Sequence, residues 1–188
     1  LPTWLRFVKG IIDSSDLPLN VSREILQQNR VMAKIKSNSV KKVLDKIKTI
    51  SKNKDKYEGF YNEFGRLLKE GVYQEFEHKE ALTELLRFKS TKEEGYVSLQ
   101  GYVDRMNSDQ ESIYYITGTN ESALRDSPLL EMYKEKDIEV LILDDEIDEI
   151  IMPSVPTFKE KSLKSVNRSG AADELNKDGD NDKKDELK

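Results

Sequence analysis

At 188 residues the chain can hold one large domain or two small ones. It has no cysteine, which excludes disulfides, and 31 Lys and Arg against 36 Asp and Glu leave a net charge of -5 with both signs interspersed. That balance offers no basic field to gather nucleic acid, and no apolar run approaches the roughly 20 residues that cross a bilayer.

Pro2 and Trp4 predict one short helical turn, with Trp4 packed in the core. Phe7 to Asp13 reads as a strand, apolar at Phe7, Val8, Ile11 and Ile12. A loop through Pro18 leads into a helix that carries Arg23 and Gln27. Residues four apart lie on one helix side. A guanidinium and an amide there suit a polyanion, although Arg23 could equally be a surface cation answering Asp13, Asp16 or Glu24.

From Val31 to Ile50 apolar residues recur at threes and fours, which predicts an amphipathic helix whose lysines face solvent. The next helix is expected to begin at Asp55 and stop near Gly71, and another to run from Lys79 to Phe88. Lys89 to Gly95 reads as a charged loop. The single histidine, His78, has no second histidine or cysteine nearby to complete a metal site.

Beyond Gly95 the expected elements are a helix at Ser98–Met106, a strand at Ser112–Ile116, a helix at Asn120–Lys136 and a buried strand at Ile138–Leu143. Pro128 should kink or restart the third of these. Strand, crossover and strand joined by short connections imply parallel pairing. Asp145–Ile151 reads as a short helix ended by Pro153, and Phe158–Val166 as an edge strand. From Asn167 the apolar content falls away, so 167–188 is expected to be a mobile tail or linker. Within it the Asp178, Asp180, Asp182 spacing lacks the glycine of a calcium loop, and the KDEL at 184–187 is followed by Lys188.

The expected class is therefore α/β. It comprises an α/β start, a helical connector of about three helices, and a smaller αβα sandwich with a short parallel sheet. The divisions are 1–89, 96–166 and 167–188. No glycine-rich phosphate loop and no nucleophile paired with a histidine is present, so the chain does not read as an enzyme by itself. It starts at Leu1 rather than Met, with no signal peptide, and is expected to be an excised segment.

The string LPTWLRFVKGIIDSSDLPLNVSREILQQN resembles the middle segment of the ninety-kilodalton heat-shock chaperones, most of all the bacterial form. YNEFGRLLKEG at 61–71, LLRFKST at 85–91, YVDRM at 102–106, IYYITG at 113–118 and EVLILDDEIDE at 139–149 follow in that family's order. The resemblance covers about positions 1 to 165.

It implies an ATP-dependent cytoplasmic chaperone in which a separate N-terminal domain binds ATP and Mg, with none bound by this segment alone. Arg23 would reach the ATP γ-phosphate, with Gln27 supporting the closed arrangement. Client contact would involve Glu149, Ile150 and Met152. Bacterial members of the family often carry an aromatic residue where Ile150 stands here. The implied partners are the nucleotide-binding domain of the same chain, unfolded or partly folded clients, and a second copy joined through a C-terminal domain outside this segment. No nucleic acid or membrane is expected. The contrasting expectation is a plain protein-interaction module with a structural Arg23.

Overall fold

The computed structural model describes residues 1–13, 30–171 and 173–176. The chain divides into two compact units, Leu1–Leu85 and Leu86–Lys188.

The first unit is built on two long helices, α1 (Arg30–Ile50) and α2 (Lys54–Gln74), with the shorter α3 (Lys79–Leu85). In α1 the apolar spacing buries Val40, Leu44 and Ile47, while the lysines at 34, 36, 41, 42, 46 and 48 are exposed. The Asn53 side chain caps α2 by accepting the Lys56 N–H. From α2, Tyr57, Tyr61, Leu68 and Val72 turn inward. Each such fully buried apolar side chain contributes about 1.5–3 kcal/mol relative to exposure.

The expected helix end at Gly71 lies three residues early. Gly71 is an interior glycine whose missing side chain makes room for Trp4, and α2 runs on to Gln74. Trp4 sits in a 3-10 turn, Thr3–Leu5, preceded by Pro2, and is fully buried as expected.

The strand expected at Phe7–Asp13 is not formed. A strand needs a neighbour to satisfy its backbone groups, and no strand lies in the first unit among the described residues. Instead the Val8 N–H closes a turn on Leu5 O at 2.9 Å, and the Phe7 ring stacks on Phe64 with centroids 4.5 Å apart. Ile11 and Ile12 are left 98% and 59% exposed.

The second unit is a six-stranded mixed sheet in the order β2-β1-β4-β3-β6-β5. Its strands are β1 (Arg87–Ser90), β2 (Val97–Ser98), β3 (Ser112–Thr117), β4 (Val140–Leu143), β5 (Thr157–Phe158) and β6 (Lys161–Ser165). β3 lies between β4 and β6, parallel to both, and the remaining pairings are antiparallel.

Three sequence expectations change here. The helix expected to reach Phe88 ends at Leu85, because Arg87–Ser90 pairs with both β2 and β4. The single edge strand expected at 158–166 is a hairpin: β6 is interior and only β5 is at the edge. Its two-residue turn places Lys159 and Glu160 at φ 46° and 66°, the left-handed region that tight hairpins require. The tail expected from Asn167 is packed over its described part, with Ala171 and Leu175 buried. The calcium-like and KDEL motifs lie outside the described residues.

The β3–β4 crossover holds α5 (Glu121–Arg125), a 3-10 restart at Pro128–Leu130 and α6 (Glu131–Glu135). It covers one sheet face, where Leu124, Leu130 and Tyr133 join Tyr114, Ile116, Val140 and Ile142 in one apolar cluster. Ile113, Tyr115, Leu141 and Leu143 alternate to the other face. The β4–β5 connection contains α7 (Glu146–Ile151), from which Ile147 and Ile151 are buried.

Between β2 and β3, α4 (Leu99–Arg105) carries a polar knot. The buried Glu139 carboxylate accepts two hydrogen bonds from Arg105, at 2.8 and 3.0 Å, and one from the Ser90 hydroxyl at 2.6 Å. The Tyr102 hydroxyl donates to Glu139 O at 2.6 Å and accepts from Tyr114 N–H and Gln110 Nε2. Buried charge is tolerated where it is paired and hydrogen-bonded in this way.

Candidate functional site

The sequence points to two places. Arg23 and Gln27, the expected nucleotide-facing pair, lie outside the described residues. Glu149, Ile150 and Met152, the expected client contacts, lie on and just beyond α7.

Local sequence orients them. Asp145 and Asp148 form a reciprocal capping box that fixes the start of α7. Ile147 and Ile151, four apart, then turn to the core, and the intervening Glu149 and Ile150 face outward. Ile150 is 58% exposed and Met152 only 3%. Met152 therefore contributes to the floor of a hollow rather than to an outer contact surface.

That hollow is a cleft of about 230 Å³ between α7 and the carboxyl ends of β3 and β6. Glu149 lines its α7 side, with Met152 and Pro153 at the floor, and Tyr115, Thr117, Ser165, Asn167 and Arg168 line the strand side. Its place follows from topology. The connection leaving β3 goes to β4 on one side, and the connection leaving β4 passes back to the β5–β6 hairpin on the other. Parallel strands whose connections diverge leave a crevice beyond their carboxyl ends, where α/β sheets bind ligands.

The strand ends are held by one side chain. Asn167 Oδ1 accepts the Thr117 N–H at 2.8 Å, and Asn167 Nδ2 donates to Thr117 O at 3.1 Å. The amide thus continues the β3–β6 ladder by two bonds. Val166 N–H adds a bond to Tyr115 O at 2.8 Å, and Arg168 N–H closes a turn on Ser165 O at 3.1 Å. Arg168 consequently stands at the lip, exposed, and borders both this cleft and a second hollow of about 260 Å³ that also touches Tyr115 and Lys164.

Burial pushes the Tyr115 phenol above its ordinary pKa, while the Arg168 guanidinium and the Ser165 hydroxyl pull it partly back. Arg168 and Glu149 each lack a salt-bridge partner among the described residues. On the same unit Lys89 is paired with two carboxylates. Burial works against the Lys89 charge, but hydrogen bonds with Asp144 and Glu121, both at 2.7 Å, outweigh it and raise its pKa.

The lining contains no histidine or cysteine, and among the described residues no cluster of three or more His, Cys, Asp or Glu could hold a metal ion. The cleft is equipped for recognition: an apolar floor, a buried tyrosine at its lining, an open cation and an open carboxylate. Sequence reasoning named its α7 side and missed Tyr115, Asn167 and Arg168. These three meet through the parallel register that sets Tyr115 opposite Ser165, a pairing without a local sequence signal.

Residues 1–188 match the family model of the Hsp90 protein, and the chain belongs to that family. Its relatives include the chaperone protein HtpG of Treponema denticola, 57% identical over 181 residues covering 94% of this chain and 28% of that protein. HtpG of Aliarcobacter butzleri is 61% identical over 169 residues, covering 88% of this chain and 27% of the relative. HtpG of Borreliella burgdorferi is 53% identical over 176 residues, covering 93% and 29%. The chain thus spans less than a third of the length of these relatives. No helix among the described residues is long and apolar enough to cross a membrane.

Proposed function

We propose that the chain is the middle-segment part of a cytoplasmic, ATP-dependent chaperone that assists protein folding. It completes ATP hydrolysis by a separate N-terminal domain and presents part of the client surface. Arg23 supplies a fixed positive charge to the ATP γ-phosphate, and Gln27, four residues on, supports that reach. Bound Mg-ATP supplies the phosphoryl chemistry. The contribution of this chain is electrostatic and positional, the logic of an arginine finger. Glu149, Ile150 and the cleft beside them hold exposed segments of unfolded clients, and a C-terminal domain joins two copies of the full-length protein.

The observation that carries this reading is the full-length family match to a chain in which SREILQQN stands intact at 22–29. In other phosphoryl-transfer enzymes such an arginine contributes about 10³ to 10⁵ in rate. A smaller effect is expected where domain closure limits turnover.

The test is to add this chain to the isolated nucleotide-binding domain and follow ATP turnover. Wild-type chain should stimulate hydrolysis, the Arg23→Ala chain should not, and calorimetry should find no ATP binding by this chain alone. Equal stimulation by both chains would leave a plain interaction module with a structural Arg23.

A further inference from the structure

The cleft beyond β3 and β6 has a wall that the α7 residues do not account for. Arg168 is exposed, adjoins two hollows and meets no carboxylate among the described residues. Its backbone is fixed rather than loose: its N–H is bonded to Ser165 O, and the preceding Asn167 is clipped to Thr117. Arg168 and Tyr115 line both hollows together. An arginine held at a preformed crevice, beside an aromatic ring and an apolar floor, is matched by an anion attached to an apolar group.

Glu149 stands on the opposite wall. Its charge weighs against a densely anionic guest, so a single local carboxylate suits the cleft better than a polyanion. Met152 and Pro153 provide the apolar floor, with the exposed Ile150 on the same helix.

We propose that this cleft is an acidic-apolar reader: it takes an extended client segment in which an Asp or Glu adjoins an aliphatic or aromatic residue, with Arg168 holding the carboxylate and Met152 and Pro153 the apolar side chain. The proposal rests on the client-binding reading of α7 and adds to it a charge preference set by residues from the other wall.

The experiment uses the whole 188-residue chain and three fluorescein-labelled peptides, identical except for Asp, Asn or Lys beside a central Leu. The Asp peptide should bind about two- to fivefold more tightly than the Asn peptide, the range of one exposed ion pair. Amide NMR shifts should centre on Thr117, Asn167 and Arg168. In Arg168→Ala the Asp and Asn peptides should bind alike, and in Arg168→Glu the Lys peptide should bind best. Arg168 is exposed, so both variants should keep the native NMR spectrum elsewhere.

If Asp and Asn peptides bind equally to the wild type while Ile150→Ala weakens both, α7 holds clients and the role given to Arg168 is wrong. Should the Asp preference survive in Arg168→Ala, the cation lies elsewhere and the proposal falls. If no peptide shifts any amide of the cleft, the proposal falls together with the client reading of α7.

Discussion

The Trp4 ring lies so close to the Gly71 backbone that a Cβ built on the glycine would come within 2.9 Å of it. The same Cβ would stand 3.1 Å from Leu82 Cδ1. A residue near the start of the chain, one on α2 and one on α3 therefore share a contact with no slack. Gly71→Ala should improve intrinsic helix propensity by about 1 kcal/mol, but overpacking a closed core costs about 1–3 kcal/mol. Because indole and helix backbone are both rigid, the second effect should win, with a net loss of up to about 2 kcal/mol. Trp4 is the only tryptophan, so its emission during urea unfolding reads this contact directly. Unchanged or increased stability in that assay would show that the indole can step aside.

Tyr102 supports the second unit through its hydroxyl. Burial pushes its phenol well above the ordinary tyrosine pKa, while the hydrogen bonds from Tyr114 N–H and Gln110 pull the other way. Tyr102→Phe keeps the ring and removes the hydroxyl's bonds to the Glu139 carbonyl, the Tyr114 N–H and the Gln110 amide. Leaving buried polar groups unsatisfied costs about 1–3 kcal/mol. A loss of about 2 kcal/mol is expected, measured by far-UV circular dichroism in denaturant. Faster hydrogen exchange at the Tyr114 amide should accompany it.

Acid should weaken the first unit partly through Glu70. The Arg6 side chain donates two hydrogen bonds to its carboxylate, at 2.6 and 2.9 Å, and these hold Glu70 below its ordinary pKa against the opposing effect of burial. A carboxyl whose pKa is lower folded than unfolded stabilises the fold above the unfolded value, about 4.3 for Glu. That contribution disappears as pH falls through the lower folded value. In Glu70→Gln the loss of thermal stability below about pH 4 should be shallower than in the wild type, with Trp4 emission as the readout. High salt should shrink the difference, because Arg6 is half exposed.

Much of the helical framework was legible because its signals are local. Val40, Leu44 and Ile47 mark the buried stripe of α1, and Pro128 splits its helical stretch where a missing N–H demands it. The parallel pair was legible as well, since IEVLIL admits little but a buried strand. What escaped depends on distant partners. Phe88 fits the apolar stripe of a helix as well as the strand it joins, and only pairing with β2 and β4 decides between them. Phe7 to Asp13 has the composition of a strand but no neighbouring strand among the described residues to make it one. KSLKS at 161–165 is too polar to announce an interior strand, yet β3 takes it as a partner. At the cleft, Glu149 and Ile150 were found by resemblance, whereas Arg168 waited on a register that no local pattern encodes.

Both borders of the sheet are only two residues long: Val97–Ser98 at one side and Thr157–Phe158 at the other. Long unpaired borders recruit foreign strands, and natural proteins blunt them by keeping them short. With so little unpaired backbone on offer, the sheet gives a foreign chain few places at which to add a strand and seed assembly.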